Sequence, residues 1–198
     1  YLFFLFNTRI QTREDLKDSG LSASVLAEIP VFNLEESNKV FSNPSDRSIV
    51  SESFRILMSN TRYLLNNKSK SSIIVTTSSV KGEGKTLTAL NLSLAFASLD
   101  KKVLLIGCDL RNPQIHKYIN EQKDQKGLVN FLVDNKLKWK EWTLKKFPKI
   151  PSHEILLCGS IPPNPLNLIN NGNLELLIEE AKNLYEYIII DTAPTLLV

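Results

Sequence analysis

A glycine-rich segment, residues 79–86 (SVKGEGKT), stands between an apolar, β-branched run at residues 73–77 and a pattern of helical periodicity. This order of strand, glycine-rich turn and helix is typical of a phosphate-binding loop, for which the general pattern is G-x-x-x-x-G-K-[ST]. The segment matches the closing G-K-T of that pattern, whereas Ser79 stands where the first glycine is usual. Because backbone N–H groups and a helix N-terminus in such a loop bind phosphate oxygens, the sequence predicts a nucleoside-triphosphate site.

The chemistry of this loop predicts roles for its side chains. Lys85 is expected to reach the β- and γ-phosphates, and Thr86 to give its hydroxyl to Mg²⁺. Gly82 and Gly84 permit the backbone dihedrals that turn N–H groups inward. The predicted nucleotide-binding residues are Val80, Lys81, Gly82, Glu83, Gly84, Lys85, Thr86 and Leu87.

Two aspartates follow apolar runs that have the length of strands. Asp191 ends the run at residues 187–190 (YIII), and Asp109 comes shortly after the run at residues 103–106 (VLLI). Ligands of open parallel sheets bind outside the carboxyl ends of the strands. Asp191 and Asp109 are therefore predicted to join Thr86 in holding Mg²⁺, and Asp109 is also a candidate proton acceptor.

Alternating strand and helix patterns predict the fold class: an α/β domain with a mostly parallel sheet and helices on both faces. Buried strands are expected at residues 73–77, 103–106, 155–157 and 187–190, and amphipathic helices at residues 50–65, 85–99 and 174–184. A chain of 198 residues is long enough for one domain and a small appendage. We divide it into an N-terminal region, 1–45, and a nucleotide-binding domain, 46–198, that is expected to be truncated at its C-terminus.

Two further segments are open to more than one interpretation. Residues 1–6 (YLFFLF) are apolar but too few to cross a bilayer, so they indicate either the end of a membrane helix or a core segment. Tryptophans interleaved with lysines at residues 136–149 favour an amphipathic surface helix over a surface for nucleic acid or lipid. The net charge of +3 gives no support for nucleic-acid binding, and no such partner is expected.

Taken together, these motifs resemble the bacterial tyrosine kinases of polysaccharide co-polymerases, which are relatives of the MinD/ParA-type ATPases. Residues 104–113 (LLIGCDLRNP) resemble the family's second aspartate motif, D-x-D-[LM]-R-x-P, and residues 188–194 (IIIDTAP) resemble its Walker B segment. Residues 161–165 (IPPNP) and 51–55 (SESFR) resemble a proline-rich loop and an E-x-x-R-x-x-R oligomerisation helix. The likeness extends over nearly the whole chain, including residues 12–30.

The resemblance implies a cytoplasmic kinase domain on the inner face of a bacterial membrane. It implies ATP and Mg²⁺ as cofactors and phosphorylation, within a ring of subunits, of a tyrosine cluster at the C-terminus of a neighbouring subunit. It further implies regulation of capsule or exopolysaccharide synthesis, chain length and export, through the polymerase and export machinery. The catalytic residues carried over are Lys85, Asp109, Asp191 and Arg111, and the oligomerisation residues are Glu52 and Arg55.

The chain departs from the family pattern in three ways. Gly107 stands where the first aspartate of D-x-D is usual, so catalysis is expected to be weakened. Met58 stands where the second arginine of the oligomerisation motif would fall, and no tyrosine cluster is present. Two alternatives therefore stay open: a MinD/ParA-like ATPase switch without a protein acceptor, and a nucleotide-binding assembly module with little turnover.

Overall fold

The computed structural model describes residues 15–16, 20, 22–31, 40–65 and 70–197, and its centre is a four-stranded parallel sheet. The strands are β1 (Ser72–Thr76), β2 (Val103–Gly107), β3 (His153–Leu156) and β4 (Tyr187–Asp191). Their order across the sheet is β1-β4-β2-β3. The last strand along the chain thus lies between the first two, and its register pairs Asp191 with both Thr76 and Gly107.

Helices connect the strands and cover the sheet. Before β1 lies α1 (Ile49–Leu64), and between β1 and β2 lies α2 (Lys85–Ala97). The longer connections hold α3 (Ile115–Tyr118), α4 (Leu128–Val133), α5 (Pro165–Ile169) and α6 (Asn173–Lys182). Two 3₁₀ turns lie at Trp139–Trp142 and Thr195–Leu197. These bounds confirm the predicted alternation of strands and helices and the α/β fold class.

The alternation of side chains along the strands divides the core into two clusters. On one face, Val103, Leu105 and Ile189 pack with α1 and α2. On the other face, Leu104 and Ile106 pack with α4 and α6. Because successive side chains of a strand point to opposite faces, each central strand needs apolar residues throughout, as β2 has.

Strand β1 differs from the prediction of a fully buried strand. Among the described residues it pairs only with β4, so it forms an edge of the sheet. One face of β1 is exposed, and the exposed fractions of Ile73 and Val75 are 37% and 59%. An unbroken apolar run is compatible with burial on both faces or on one, because the run itself does not specify the neighbouring strand.

The lysine-rich segment at residues 136–149 also differs from its prediction. It contains a single 3₁₀ turn, Trp139–Trp142, followed by an isolated bridge from Leu144 to Ile155. Trp139 is buried, and its indole N–H donates to Glu180 at 2.7 Å. The segment is thus held by the buried Trp139 and by the bridge to Ile155, and it does not form the predicted amphipathic helix.

The N-terminal region is only partly described. Asp15 and Leu16 are helical, residues 22–31 have no regular structure, and residues 1–6 lie outside the described part of the chain. Phe41 is 2% exposed and its N–H donates to the Asn91 side chain in α2. The boundary at residue 45 stays a prediction, with Phe41 packed in the core of the nucleotide-binding domain. No helix within the described residues is long and apolar enough to span a bilayer.

Candidate nucleotide-binding site

The phosphate-binding loop begins three residues after the end of β1 and leads directly into α2. Gly82 and Gly84 have φ angles of +95° and +83°, which explains why glycine is needed at both positions. Gly84 is the N-cap residue of α2, and no side chain among the described residues caps the helix start. Since the first turn of α2 also lacks an acidic residue, its N–H groups and positive dipole end are available to an anion.

Glu83 braces the start of this loop. Its Oε2 atom accepts hydrogen bonds from the backbone N–H groups of Ser79 and Val80, at 2.8 and 3.2 Å. The segment after β4 also contacts the start of the loop. The N–H groups of Thr195 and Leu196 donate to the carbonyls of Ser78 and Ser79. Sequence reasoning placed Glu83 in the loop but did not predict this bracing role.

Lys85 joins the loop to the two aspartates. Its ammonium group lies 3.0 Å from Asp109 Oδ2 and 3.4 Å from Asp191 Oδ1. It also lies 3.3 Å from Thr86 Oγ1. The side chains are 9% exposed at Lys85, 5% at Asp109 and 1% at Asp191. The order β1-β4-β2 of the sheet brings together these predicted site residues, which lie up to 106 positions apart in sequence.

The two aspartates differ in their surroundings. Burial is the main reason why the pKa of Asp191 is raised, and the nearby Lys85 ammonium and Thr86 hydroxyl partly oppose this increase. The two carboxylate oxygens of Asp109 have different partners. Oδ1 accepts hydrogen bonds from the backbone N–H groups of Arg111 and Asn112, whereas Oδ2 faces Lys85. These backbone contacts hold the Asp109 carboxylate in a turn, which leaves one oxygen directed into the site.

A cavity of about 370 Å³ opens beside this cluster. Its wall includes Gly82, Thr86 and Asp109, together with Tyr118 and Pro194. A volume of this size is within the range of small-molecule sites. Tyr118 was not predicted as a site residue, because a single tyrosine in a short helix has no motif that would distinguish it from a packing residue.

The site suits a hard divalent cation. Thr86, Asp109 and Asp191 offer a hydroxyl and two carboxylates, which are oxygen ligands of the kind that Mg²⁺ prefers. Within the described residues there is no group of three His, Cys, Asp or Glu side chains arranged for a metal. Burial, reinforced by the two aspartates, raises the pKa of the Cys108 thiol to about 11, so Cys108 stays protonated beside the site.

Gly107 and Arg111 complete the surroundings of Asp109. A Cβ atom built on Gly107 would lie 3.2 Å from both Cys158 N and Ile115 Cδ1, so the position of the absent carboxylate is closely packed. Arg111 is exposed and lines the nucleotide cavity. It also lines a second, apolar groove of about 330 Å³ beside Val75.

The predicted oligomerisation residues lie on α1, away from the nucleotide cavity. Arg55 forms an ion pair with Glu52 at 2.9 Å and donates to the carbonyls of Pro44 and Asp46. Its guanidinium also lies 5.1 Å above the centre of the Phe41 ring. Met58 is 7% exposed and packs in the core. In this chain Arg55 therefore holds the segment before α1 against the helix, and position 58 faces inward.

Comparison with known proteins reveals a consistent group of relatives. The family model described as "AAA domain" matches residues 71–198. Tyrosine-protein kinase YwqD of Bacillus subtilis is 33% identical over 155 residues, which covers 77% of this chain and 62% of YwqD. A putative tyrosine-protein kinase in the cps region of Klebsiella pneumoniae is 28% identical over 211 residues, covering 98% of this chain and 28% of that protein. The chain thus spans less than two thirds of these relatives' own length.

Among solved structures, the kinase domain of the Escherichia coli tyrosine kinase ETK superposes with a TM-score of 0.79 at 27% identity. The superposition covers 94% of this chain and 74% of the ETK domain. The residues matched by the family model, 71–198, include the phosphate-binding loop, both aspartates and the whole sheet. The chain therefore belongs to the AAA-domain family of P-loop proteins, among the relatives of the bacterial tyrosine kinases, as its motifs predicted.

Proposed function

We propose that the chain is the ATP- and Mg²⁺-dependent domain of a bacterial protein-tyrosine kinase. One observation carries the proposal: the side chains of Lys85, Thr86, Asp109 and Asp191 lie close together beside a cavity. The wall of this cavity includes the start of α2, which has no side-chain cap among the described residues. These are the groups that phosphoryl transfer requires, since such enzymes act by positioning and charge stabilisation. The MinD/ParA-like switch is the less favoured alternative, because the relatives reported above are named tyrosine kinases.

The proposed mechanism gives each residue a distinct task. Backbone N–H groups of the loop and of the first turn of α2 bind phosphate oxygens, and Lys85 binds the β- and γ-phosphates. Thr86 and Asp191 would hold Mg²⁺, and the bound ion would supply positive charge to the phosphate groups. Asp109 accepts the proton of the attacking tyrosine hydroxyl or assists the metal. Arg111, exposed at the rim of the cavity, interacts with the acceptor or with a neighbouring subunit.

The acceptor and the cellular setting are also part of the proposal. The acceptor would be a tyrosine cluster at the C-terminus of another subunit of a ring-like homo-oligomer, with Glu52 and Arg55 contributing to the contact. Burial of Met58 argues that α1 contributes fewer charged contacts to such a ring than the full motif would. The domain would act at the cytoplasmic face of the inner membrane and regulate capsular or exopolysaccharide synthesis and export. The cps-region relative supports the link to polysaccharide synthesis.

Incubation with γ-³²P-labelled ATP, Mg²⁺ and a tyrosine-containing polymer tests the proposal. A kinase puts label on tyrosine, either of the chain or of the polymer. Lys85→Met is expected to reduce this labelling by about a hundredfold or more, because it removes a charge that stabilises the transition state. Lys101→Met, which removes a lysine paired with Glu186 at the amino ends of the strands, is the matched control.

The other outcomes separate the alternatives. Release of free phosphate without tyrosine labelling would favour the ATPase switch. Binding of ATP without turnover would favour the assembly module, and the carboxylate missing at Gly107 would then be a candidate cause. Gly107→Asp tests that cause directly: if the missing carboxylate limits catalysis, the variant gains labelling once the Ile115 side chain and the backbone at Cys158 have shifted to admit the new side chain.

A further inference from the structure

Three oxygen atoms of the candidate metal site surround a single nitrogen atom. Asp109 Oδ2, Thr86 Oγ1 and Asp191 Oδ1 lie 3.0, 3.3 and 3.4 Å from Lys85 Nζ. They are the side-chain oxygens that the proposed function assigns to Mg²⁺. The ammonium group of Lys85 therefore stands at the place towards which the ligands of the divalent cation converge.

The two carboxylates of this cluster do not carry enough negative charge to neutralise the Lys85 ammonium group and a divalent ion at the same time. Asp109 and Asp191 carry two negative charges when ionised, and the side chains of all three ionic partners are less than one tenth exposed. A divalent ion that entered beside Lys85 would bring three positive charges to two carboxylates in a place of low dielectric constant. Repulsion between buried like charges is strong, so the ion and the ammonium group compete for the same oxygens.

The location of Lys85 also allows its side chain to reach a phosphate group in the cavity. Lys85 is the first residue of α2, directly after Gly84, and its side chain lines the cavity next to the free N–H groups of the helix start. A triphosphate placed on those groups carries more negative charge than the two aspartates together. The long, flexible lysine side chain can follow that charge without any movement of the backbone.

We propose that Lys85 is the resident counter-ion of the metal site in the nucleotide-free protein. In this inference, which rests on the nucleotide site of the proposed function, the nucleotide draws the ammonium group onto its phosphates and thereby frees both carboxylates. The divalent cation then enters together with the nucleotide and is excluded without it. The lysine thus keeps the buried aspartates neutralised at rest and makes metal binding conditional on nucleotide.

Binding of Mn²⁺ to the nucleotide-free chain, followed by electron paramagnetic resonance, tests the inference. The wild-type chain is expected to bind Mn²⁺ weakly, and Lys85→Met is expected to bind it at least about tenfold more tightly, since the competing charge is gone. Lys101→Met, whose lysine pairs with Glu186 instead, serves as the matched control and is expected to bind as the wild type does. Adding Asp191→Asn to Lys85→Met should remove the gained site.

Two results would overturn the inference: equal Mn²⁺ affinity of the wild type and Lys85→Met, or a gain that persists in the double variant. If Lys85→Met does not fold, Lys85→Gln takes its place, because it keeps a hydrogen-bond donor between the aspartates without the charge. The measurement needs no nucleotide and no turnover. A wild-type chain that binds no ATP would contradict the proposed function, whereas the comparison of Mn²⁺ affinities would still report on Lys85.

Discussion

Individual side chains in this protein do more than their motifs suggest. Glu83 is an unspecified position of the phosphate-loop pattern, yet its carboxylate holds two backbone N–H groups of the loop. His153 has no role in any motif, yet it is completely buried at the start of β3 and lies 2.7 Å from Ser93 Oγ. Both contacts arise from the local geometry of the folded chain, and both have measurable consequences.

Replacing Glu83 tests its bracing role. Glu83→Ala is expected to weaken ATP binding about tenfold, since two exposed hydrogen bonds to the loop contribute about 0.5–1 kcal/mol each. Glu83→Gln keeps an acceptor oxygen and is expected to bind ATP nearly as the wild type does. Titration calorimetry gives the affinities, and hydrogen exchange at Ser79 and Val80 shows whether the loop has loosened. A weakened Glu83→Gln with unchanged exchange would show that charge, not bracing, is what matters.

The burial of His153 leads us to expect that the free energy of unfolding depends on pH. Burial lowers the pKa of His153 to about 3, well below the usual value of 6.5 for histidine. Below about pH 6.5 the unfolded chain binds a proton that the folded chain excludes, so stability is present above that pH and falls as the pH decreases. The expected slope is about 1.4 kcal/mol per pH unit between pH 6 and pH 5.

Urea unfolding at several pH values measures this slope. His153→Gln should flatten the slope, whereas His116→Gln should change it less, because the His116 side chain is only partly buried and burial lowers its pKa to a smaller extent. The measurement is confined to values above pH 5, because a carboxylate with a lowered pKa, such as Glu154, is ionised in both the folded and the unfolded chain there and adds no slope of its own. An unchanged slope in His153→Gln would contradict the burial of a neutral imidazole.

At the level of secondary-structure elements, α1 is joined to the segment before it by a network of polar contacts. Ser48 caps the helix by accepting from the N–H of Ser51, and Asp46 accepts from both serine hydroxyls. Hydrogen bonds from these serines lower the pKa of Asp46. Arg55 then holds the same segment from one turn further along the helix. Side-chain hydrogen bonds therefore stabilise the start of α1, where backbone N–H groups have no partner within the helix.

Loss of the Arg55 contacts should be measurable. Arg55→Ala is expected to lower the free energy of unfolding by about 1–2 kcal/mol, because two backbone carbonyls lose a charged donor and Phe41 loses its cation–π contact. Arg62→Ala, in the exposed last turn of the same helix, is the matched control and should cost less than about 0.5 kcal/mol. Denaturant unfolding gives both values. Sedimentation of the same variants shows whether Arg55 also contributes to self-association.

At the level of the whole molecule, the sheet is unequally covered. The central strands β2 and β4 are buried on both faces, whereas one face of β1 is open at Ile73 and Val75. β1 lies at one edge of the sheet and α2 covers only one of its faces, whereas β3, at the other edge, is mostly buried. The order of the strands also brings Asp109 and Asp191 to Lys85.

Two valine substitutions measure how much the burial of β2 and that of β1 contribute to stability. Val103→Ala, in β2, is expected to lower the free energy of unfolding by about 2 kcal/mol, because its side chain is fully buried. Val75→Ala, in β1, is expected to cost less than about 1 kcal/mol, since its side chain is 59% exposed. Thermal or urea unfolding of both variants provides the comparison. Equal losses would indicate that the open face of β1 is covered in solution.

Local patterns determined much of this protein in advance. The phosphate-binding loop, the two aspartates after apolar runs and the alternation of strands and helices were all predicted, because turn chemistry and side-chain periodicity operate over a few neighbouring residues. The family followed from the same motifs. The departures at Gly107 and Met58 were equally visible in the sequence.

The tertiary structure decided what depends on distant parts of the chain. The contacts of Lys85 with both aspartates, the open face of β1, the presence of Tyr118 in the cavity wall and the intrachain role of Arg55 were not predicted. Each depends on which elements become neighbours, and the order β1-β4-β2-β3 has no local signature. The sequence by itself thus specified the chemical groups, and packing of the sheet and helices decided which of those groups meet, since burial is gained only between elements far apart in the chain.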